Sequence, residues 1–229
     1  MRRSRSLFSA IGLILIATAC QRGPADASPA TSDATAAASA ASTEQASANG
    51  PLRWSNAVVW SGDLNSCRQG EAAATRECLV KAMLAGGASD DAVAAAKQLS
   101  SGGELAYVDA WHDQDGIGVA TVNYPFRANT NQGTRLIDAS GKRIDVDDVP
   151  MDDTLRADPD VQAMLKADPQ AMPFPPAQAA GSAPLEGGGV RLLYRTPLRE
   201  CHACADVGSV QIGYDFDAKR NFIAQQVVP

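Results

Sequence analysis

Histidine is almost missing from this chain: His112 and His202 are the only two in 229 residues. A zinc site built from side chains would need both of them together with two cysteines. No serine sits in a nucleophile elbow, and no glycine-rich phosphate loop occurs, so two common catalytic signatures are missing. Basic residues are in deficit, with 20 Lys and Arg against 26 Asp and Glu and a formal charge of −6. Clustered cations are what neutralise phosphates, so this balance argues against a nucleic-acid binder and against electrostatic docking on anionic lipid. Nor is any apolar run long enough to span a bilayer. The best candidate, residues 7–19, falls short of the roughly 20 residues a spanning helix requires.

That short run instead has the flanks of an export signal. Arg2, Arg3 and Arg5 precede it, and Ala17-Thr18-Ala19 places small residues directly before Cys20. The pattern resembles the lipobox of bacterial lipoproteins, where a signal peptidase cuts before a diacylated cysteine. The resemblance implies a signal peptide over residues 1–19, lipid on Cys20 and three acyl chains on the mature protein. Each buried methylene adds about 0.8 kcal/mol of membrane affinity, so three chains hold firmly. Ala17 departs from the leucine most frequent at that place. Gln21 is not the aspartate that resembles an inner-membrane retention signal, which points to the outer membrane, on its periplasmic face. Losing three arginines and no acid takes the charge from −6 to −9.

Residues 20–50 then read as a tether. From Gln21 on, the segment is almost wholly Ala, Ser, Thr, Gly, Pro and Asp, with no aromatic and no aliphatic larger than alanine. It cannot bury enough apolar surface to offset its ordering entropy. A coil of this length has an end-to-end distance of about 30 Å.

Residues 51–229 are long enough for one domain with its own core. Trp54, Val58, Val59 and Trp60 suggest an opening strand, and 63–70 a loop. Residues 71–85 read as a helix whose stripe is Ala74, Cys78, Ala82 and Ala85, with Leu79 and Met83 beside it. Gly86 and Gly87 end it. Ser89 caps a second helix through Ala92, Val93, Ala96 and Leu99, with Asp90 and Asp91 in its first turn. Strands follow at 105–111 and 117–124 around a turn over 112–116, and at 135–138 and 143–146 around Ser140-Gly141-Lys142. Asp158-Pro159 opens a further helix with Val161, Met164 and Leu165 on its apolar face. Residues 169–189, rich in Pro, Ala and Gly, read as a long loop. A strand at 190–194 and a hairpin of 209–216 with 222–228 complete an α+β domain with a mostly antiparallel sheet and two or three helices.

Apart from Cys20, four cysteines remain: Cys67, Cys78, Cys201 and Cys204. In an exported protein they read as two disulfides with three possible pairings, of which local pairing is the simplest. If the helix starts near Glu71, Cys78 lies about 10 Å along its axis, and Gly70 suits the reversal that a bond to Cys67 requires.

Glu200-Cys201-His202-Ala203-Cys204 admits a structural staple, a redox dithiol or half of a metal site. A redox pair usually sits at a helix N-terminus, where the dipole lowers the thiol pKa, and the residues after Cys204 alternate like a strand. His202 keeps the redox reading open, since a histidine there can stabilise a thiolate. Haem attachment is excluded by Ala205 after the second cysteine. Residues 112–116 fail as an EF-hand because Trp111 holds the first ligand position. Asp145, Asp147, Asp148, Asp152 and Asp153 read as a solvated strand end, with a weak divalent-cation site as the alternative. Between strands lies the polar segment 124–133. There Tyr124, Phe126, Arg127, Asn129 and Asn131 form either an interaction surface or an internal hydrogen-bond hub.

Together with the Cys201–Cys204 segment and Tyr214-Asp215-Phe216-Asp217, this loop resembles envelope proteins of proteobacteria. The resemblance brings no activity with it. The resulting expectation is a membrane-anchored binding or accessory module for an envelope protein or polymer. It has no cofactor and no metal, and is more an adaptor than an enzyme. A thiol-disulfide redox protein using Cys201 and Cys204 is the alternative.

Overall fold

A computed structural model describes residues 52–68 and 75–229. Residues 1–51, which include Cys20 and the expected tether, lie outside them, as do Gly70 and the first turn of the expected helix at 71–74.

The described part has four α-helices and two antiparallel sheets in three layers, the α+β class read from the pattern. Helices α1 (Arg76–Ala85) and α2 (Asp90–Leu99) come first. The first sheet follows in simple up-and-down order: β1 (Tyr107–Gln114), β2 (Ile117–Asn123), β3 (Gln132–Ile137) and β4 (Arg143–Asp145). Then come α3 (Asp153–Ala157) and α4 (Pro159–Ala167). The second sheet contains β5 (Met172–Pro173), β6 (Gln178–Pro184), β7 (Val190–Arg199), β8 (Gly208–Phe216) and β9 (Phe222–Val228). Its order is β5-β7-β8-β9, with β6 also paired to β7.

Strand alternation explains why the first sheet is the middle layer. Ile117 and Val119 of β2 and Leu136 of β3 face the second sheet, where they meet Leu192, Tyr194, Ile212, Tyr214 and Phe216. Ala120 and Ile137 point the other way, onto Val58 and Ala95 of the helical layer. Both faces of β2 are therefore dry, which its unbroken apolar run requires. The α1–α2 pair closes its own cluster around Leu79, Met83, Val93, Trp60 and Tyr107, with Trp60 edge-on to Tyr107 at 5.0 Å.

Three turns lock the sheets together at one end. Asp115 and Gly116, both at positive φ, make the two-residue turn between β1 and β2. Arg220 donates to the Asp115 carbonyl (2.6 Å) and to that of Gly188 (2.9 Å). Asp138, after β3, accepts from Ser140 N (2.8 Å), Ser140 Oγ (2.6 Å), Lys142 N (2.9 Å) and Phe222 N (3.0 Å). Burial pushes its carboxyl up, but those four donors outweigh burial and hold it below its ordinary value.

Several sequence expectations are corrected. The opening strand is instead a 3-10 turn, Asn56–Val58, capped by Ser55, followed by one parallel bridge of Val59 to Val108. Helix α1 starts at Arg76, because Thr75 is extended and its side chain caps Cys78 N. Its buried residues are Leu79 and Met83, with Ala85 exposed, so the stripe is rotated from the one expected. Cys78 thus lies in the first turn, not about 10 Å along the axis, and bonds Cys67 with a Cα separation of 5.7 Å. The turn over 112–116 shrinks to two residues, since β1 continues through Gln114. The loop over 169–189 contains β5 and β6, and the strand at 190–194 runs on to Arg199. Asp152 caps α3, a helix hidden in the acidic stretch.

Candidate functional site

Strand β7 is ten residues long, so its side chains divide cleanly between two faces. Leu192, Tyr194, Thr196 and Leu198 turn inward and are buried. Arg191, Leu193, Arg195, Pro197 and Arg199 turn outward. Register sets their neighbours on β8: Asp215 beside Arg191, Gly213 beside Leu193, Gln211 beside Arg195 and Ser209 beside Pro197. Gln178 of β6 stands across from Arg195 on the other side. None of Arg191, Leu193, Arg195 and Gln211 belongs to a buried apolar cluster among the described residues. The other side of the sheet is core; on this face Arg195, Ser209 and Gln178 are exposed, Arg191, Leu193, Arg199 and Gln211 are half-buried, and Pro197, Gly213 and Asp215 are buried.

Its charges are not equivalent. The Arg191 guanidinium donates through Nε and one terminal nitrogen to both oxygens of Asp215, at 2.6 and 2.8 Å. These hydrogen bonds push its pKa above the ordinary value. Gly213 makes the reach possible: a Cβ there would lie 2.7 Å from Arg191 Cδ and 2.8 Å from Val228. Arg199 pairs with Asp206. Arg195, midway between them, is exposed and makes no ion pair or side-chain hydrogen bond with any described residue. Beside it lies an open groove of about 300 Å³, lined by Gln178, Arg195, Pro197, Asp206, Val207 and Ser209 among others.

The β7–β8 connection closes one end of this face. Cys201 and Cys204 are bonded, with Cα atoms 5.1 Å apart, and Cys204 N donates to Cys201 O at 3.2 Å. Phe174, following β5, packs edge-on to His202 with ring centres 5.2 Å apart. The Arg199 guanidinium lies 5.8 Å from the same ring. The disulfide thus sits at a hairpin tip between two strands, where no helix dipole acts on the sulfurs. His202 is engaged with an aromatic ring rather than with a described acid or base.

The polar loop at 124–133 belongs to the other sheet; Tyr124, Phe126 and Arg127 make contacts within the fold, while Asn129 and Asn131 are exposed. Tyr124 is buried, its ring covered by Arg127 at 3.6 Å, and its hydroxyl accepts from Arg135. Arg127 also pairs with Glu104 through two nitrogens. Asn131 donates to the Arg127 carbonyl (3.4 Å), and Phe126 packs against the α1–α2 cluster. The structure therefore does not bring this loop and the Cys201–Cys204 tip into one site.

The acidic stretch is also internally engaged. Asp145 pairs with Arg135, and burial raises its carboxyl more than that arginine lowers it. Asp147 accepts from Thr134 N (2.8 Å) and Ala177 N (2.7 Å), joining β3 to the segment before β6. Among the described residues, no three His, Cys, Asp or Glu side chains converge as metal ligands.

The arginines at 191, 195 and 199 were not singled out from sequence. Their spacing of four matches a helix face, and only a single unbroken strand over 190–199 puts them in one outward row. Alternation continued through Thr196 and Leu198 was the signal available. No family model, curated protein or solved structure matches this chain.

Proposed function

We propose that this protein is a lipid-anchored bacterial lipoprotein, held by Cys20 at the periplasmic face of the outer membrane. On this reading its folded part is a binding or accessory module for another envelope protein or polymer. The single observation that carries the binding role is the outward face of β7 and β8. There the exposed Arg195, unpaired among the described residues, stands between two neutralised arginines and is flanked by the amides of Gln178 and Gln211. Side chains tied up in the fold's own contacts hold a structure; an unengaged Arg195 on a rigid strand is available to something else. The anchor rests on the sequence features before Cys20. The thiol-disulfide reading has weaker support, because the bonded pair is at a strand-to-strand tip.

Two measurements test this. Mass spectrometry of the mature amino terminus should show a triacylated Cys20; an unmodified terminus removes the anchor. Quantitative capture from envelope extracts should recover a partner with the native protein and lose it with Arg195→Glu combined with Gln211→Glu. Equal recovery with both proteins rejects this face as the docking surface.

A further inference from the structure

The row of three arginines on β7 contains its own template for what the middle one binds. Arg191 and Arg199 each take the side-chain carboxylate of an aspartate, Asp215 and Asp206. At 3.3 Å per residue, the Cα atoms of Arg191, Arg195 and Arg199 stand about 13 Å apart on one face. Arg195 lies on the same strand face without an acid of its own: Asp206, the one acid lining its groove, is already bonded to Arg199. The register partner of Arg195 on β8 is Gln211, whereas the partner of Arg191 is Asp215. Its partner on β6 is Gln178. The site thus holds one planar guanidinium with a fork of donors and two flanking amides. The adjoining groove adds the half-buried Val207 and the buried Pro197 as apolar surface.

We infer that the groove beside Arg195 is a carboxylate subsite that takes an aspartate or glutamate side chain from the partner, completing the row of arginine–carboxylate pairs. This rests on the reading that the face is where a partner docks. The source is a side chain because both internal pairs use side-chain carboxylates. The guanidinium supplies two parallel N–H donors to the two carboxylate oxygens. Gln178 offers amide hydrogens to an oxygen left over, and Pro197 with Val207 supports the residue's methylenes. Nucleic acid and anionic lipid fit less well, because the two flanking cations are already neutralised and one free arginine cannot hold a run of phosphates.

The test uses the full-length protein in non-ionic detergent and three blocked peptides: acetyl-Ala-Asp-Ala-amide, acetyl-Ala-Asn-Ala-amide, and acetyl-Ala-Ala with a free terminal carboxylate. Nuclear magnetic resonance follows the Arg195 Nε–Hε signal and the Gln178 side-chain amide. The aspartyl peptide should move both signals saturably, and the asparaginyl peptide should bind about tenfold or more weakly. Arg195→Gln should lose binding by a similar factor. Arg195→Lys should regain only part of it, because an ammonium cannot pair bidentately. Lys97→Gln, which removes one exposed charge from α2, should change nothing.

Equal binding of the aspartyl and asparaginyl peptides overturns the inference, as does unchanged binding by Arg195→Gln. Tighter binding of the free-carboxylate peptide overturns the side-chain assignment. Should the peptides fail while the double substitution still abolishes partner capture, this inference is lost and the docking face stands. Should the aspartyl peptide bind while capture is unaffected, the docking face is lost instead.

Discussion

Removing the Asp138 carboxylate should weaken the join between the two sheets by a measurable amount. One oxygen accepts from Ser140 N, Ser140 Oγ and Lys142 N, the other from Phe222 N, and the residue is 6% exposed. In Asp138→Ala, Ser140 and Lys142 are exposed and can turn to water, so their loss is largely recovered. The Phe222 amide is half-buried and has no comparable substitute. Hydrogen bonds to charged groups contribute about 1.5–3 kcal/mol, and an unsatisfied buried donor costs about 1–3 kcal/mol. The expected loss at neutral pH is therefore about 2–3 kcal/mol, or a fall in Tm on the order of 5–10 °C for a domain of this size. Asp138→Asn should cost less, about 1–2 kcal/mol, since its carbonyl oxygen can still accept at the turn, although its NH2 leaves the Phe222 N–H without an acceptor.

Acid supplies the internal control. The folded carboxyl titrates below its ordinary 3.8, so its contribution is complete above that value and is lost as pH falls through the folded pKa. Urea unfolding of native protein and Asp138→Ala should show the full difference near about pH 7 and a shrinking one below about pH 4. A difference under about 0.5 kcal/mol at neutral pH would refute the reasoning, as would one that acid leaves unchanged.

Other outcomes follow from the same contacts. Replacing Cys67 and Cys78 by serine should cost about 3 kcal/mol in urea unfolding, and replacing Cys201 and Cys204, which close a shorter loop, about 2 kcal/mol. Ser89→Ala should destabilise by about 1–2 kcal/mol, because this hydroxyl caps Ala92 N and also donates to Ala57 O at 2.6 Å. Burial pushes the Tyr194 hydroxyl up to about 12, with the Asp147 charge adding to it, and raises Tyr214 as well. Both are neutral when folded, so stability should hold up to about pH 10 and drop as pH rises toward 12; alkaline unfolding that begins well below 10 would contradict this.

The elements with local chemistry of their own were readable in advance. Helix α2 carries Ser89 as its cap and two acids in its first turn, and α4 begins on Asp158 with Pro159 at the first helical position. The β8–β9 hairpin announces itself by alternation around Asp217, and the local cysteine pairs by spacing. What escaped depends on tertiary structure. Strand β6, Gln178–Pro184, is nearly all exposed Ala, Gly and Ser, and its pairing with β7 makes it a strand. Trp54 to Trp60 looks β-forming, but Ser55 caps a 3-10 turn there and the buried Val58 packs under α2. The division into two sheets has no local signature, because Ile117 and Ala120 reveal their separate layers only once both are covered. The same is true of the candidate face. Sequence left Tyr124 and Arg127 open between a surface and an internal hub, and they are engaged internally, whereas Arg195 drew no notice and has no ion pair with any described residue.

The central claim is that a partner sits on the outward face of β7 and β8, and site-specific photo-crosslinking in intact cells tests it most directly. A photoreactive phenylalanine analogue placed at Gln211 should yield a discrete adduct, and the same group at Lys97 on α2 should yield none. Adducts from Lys97 but not from Gln211 would place the partner on the helical layer and contradict the account.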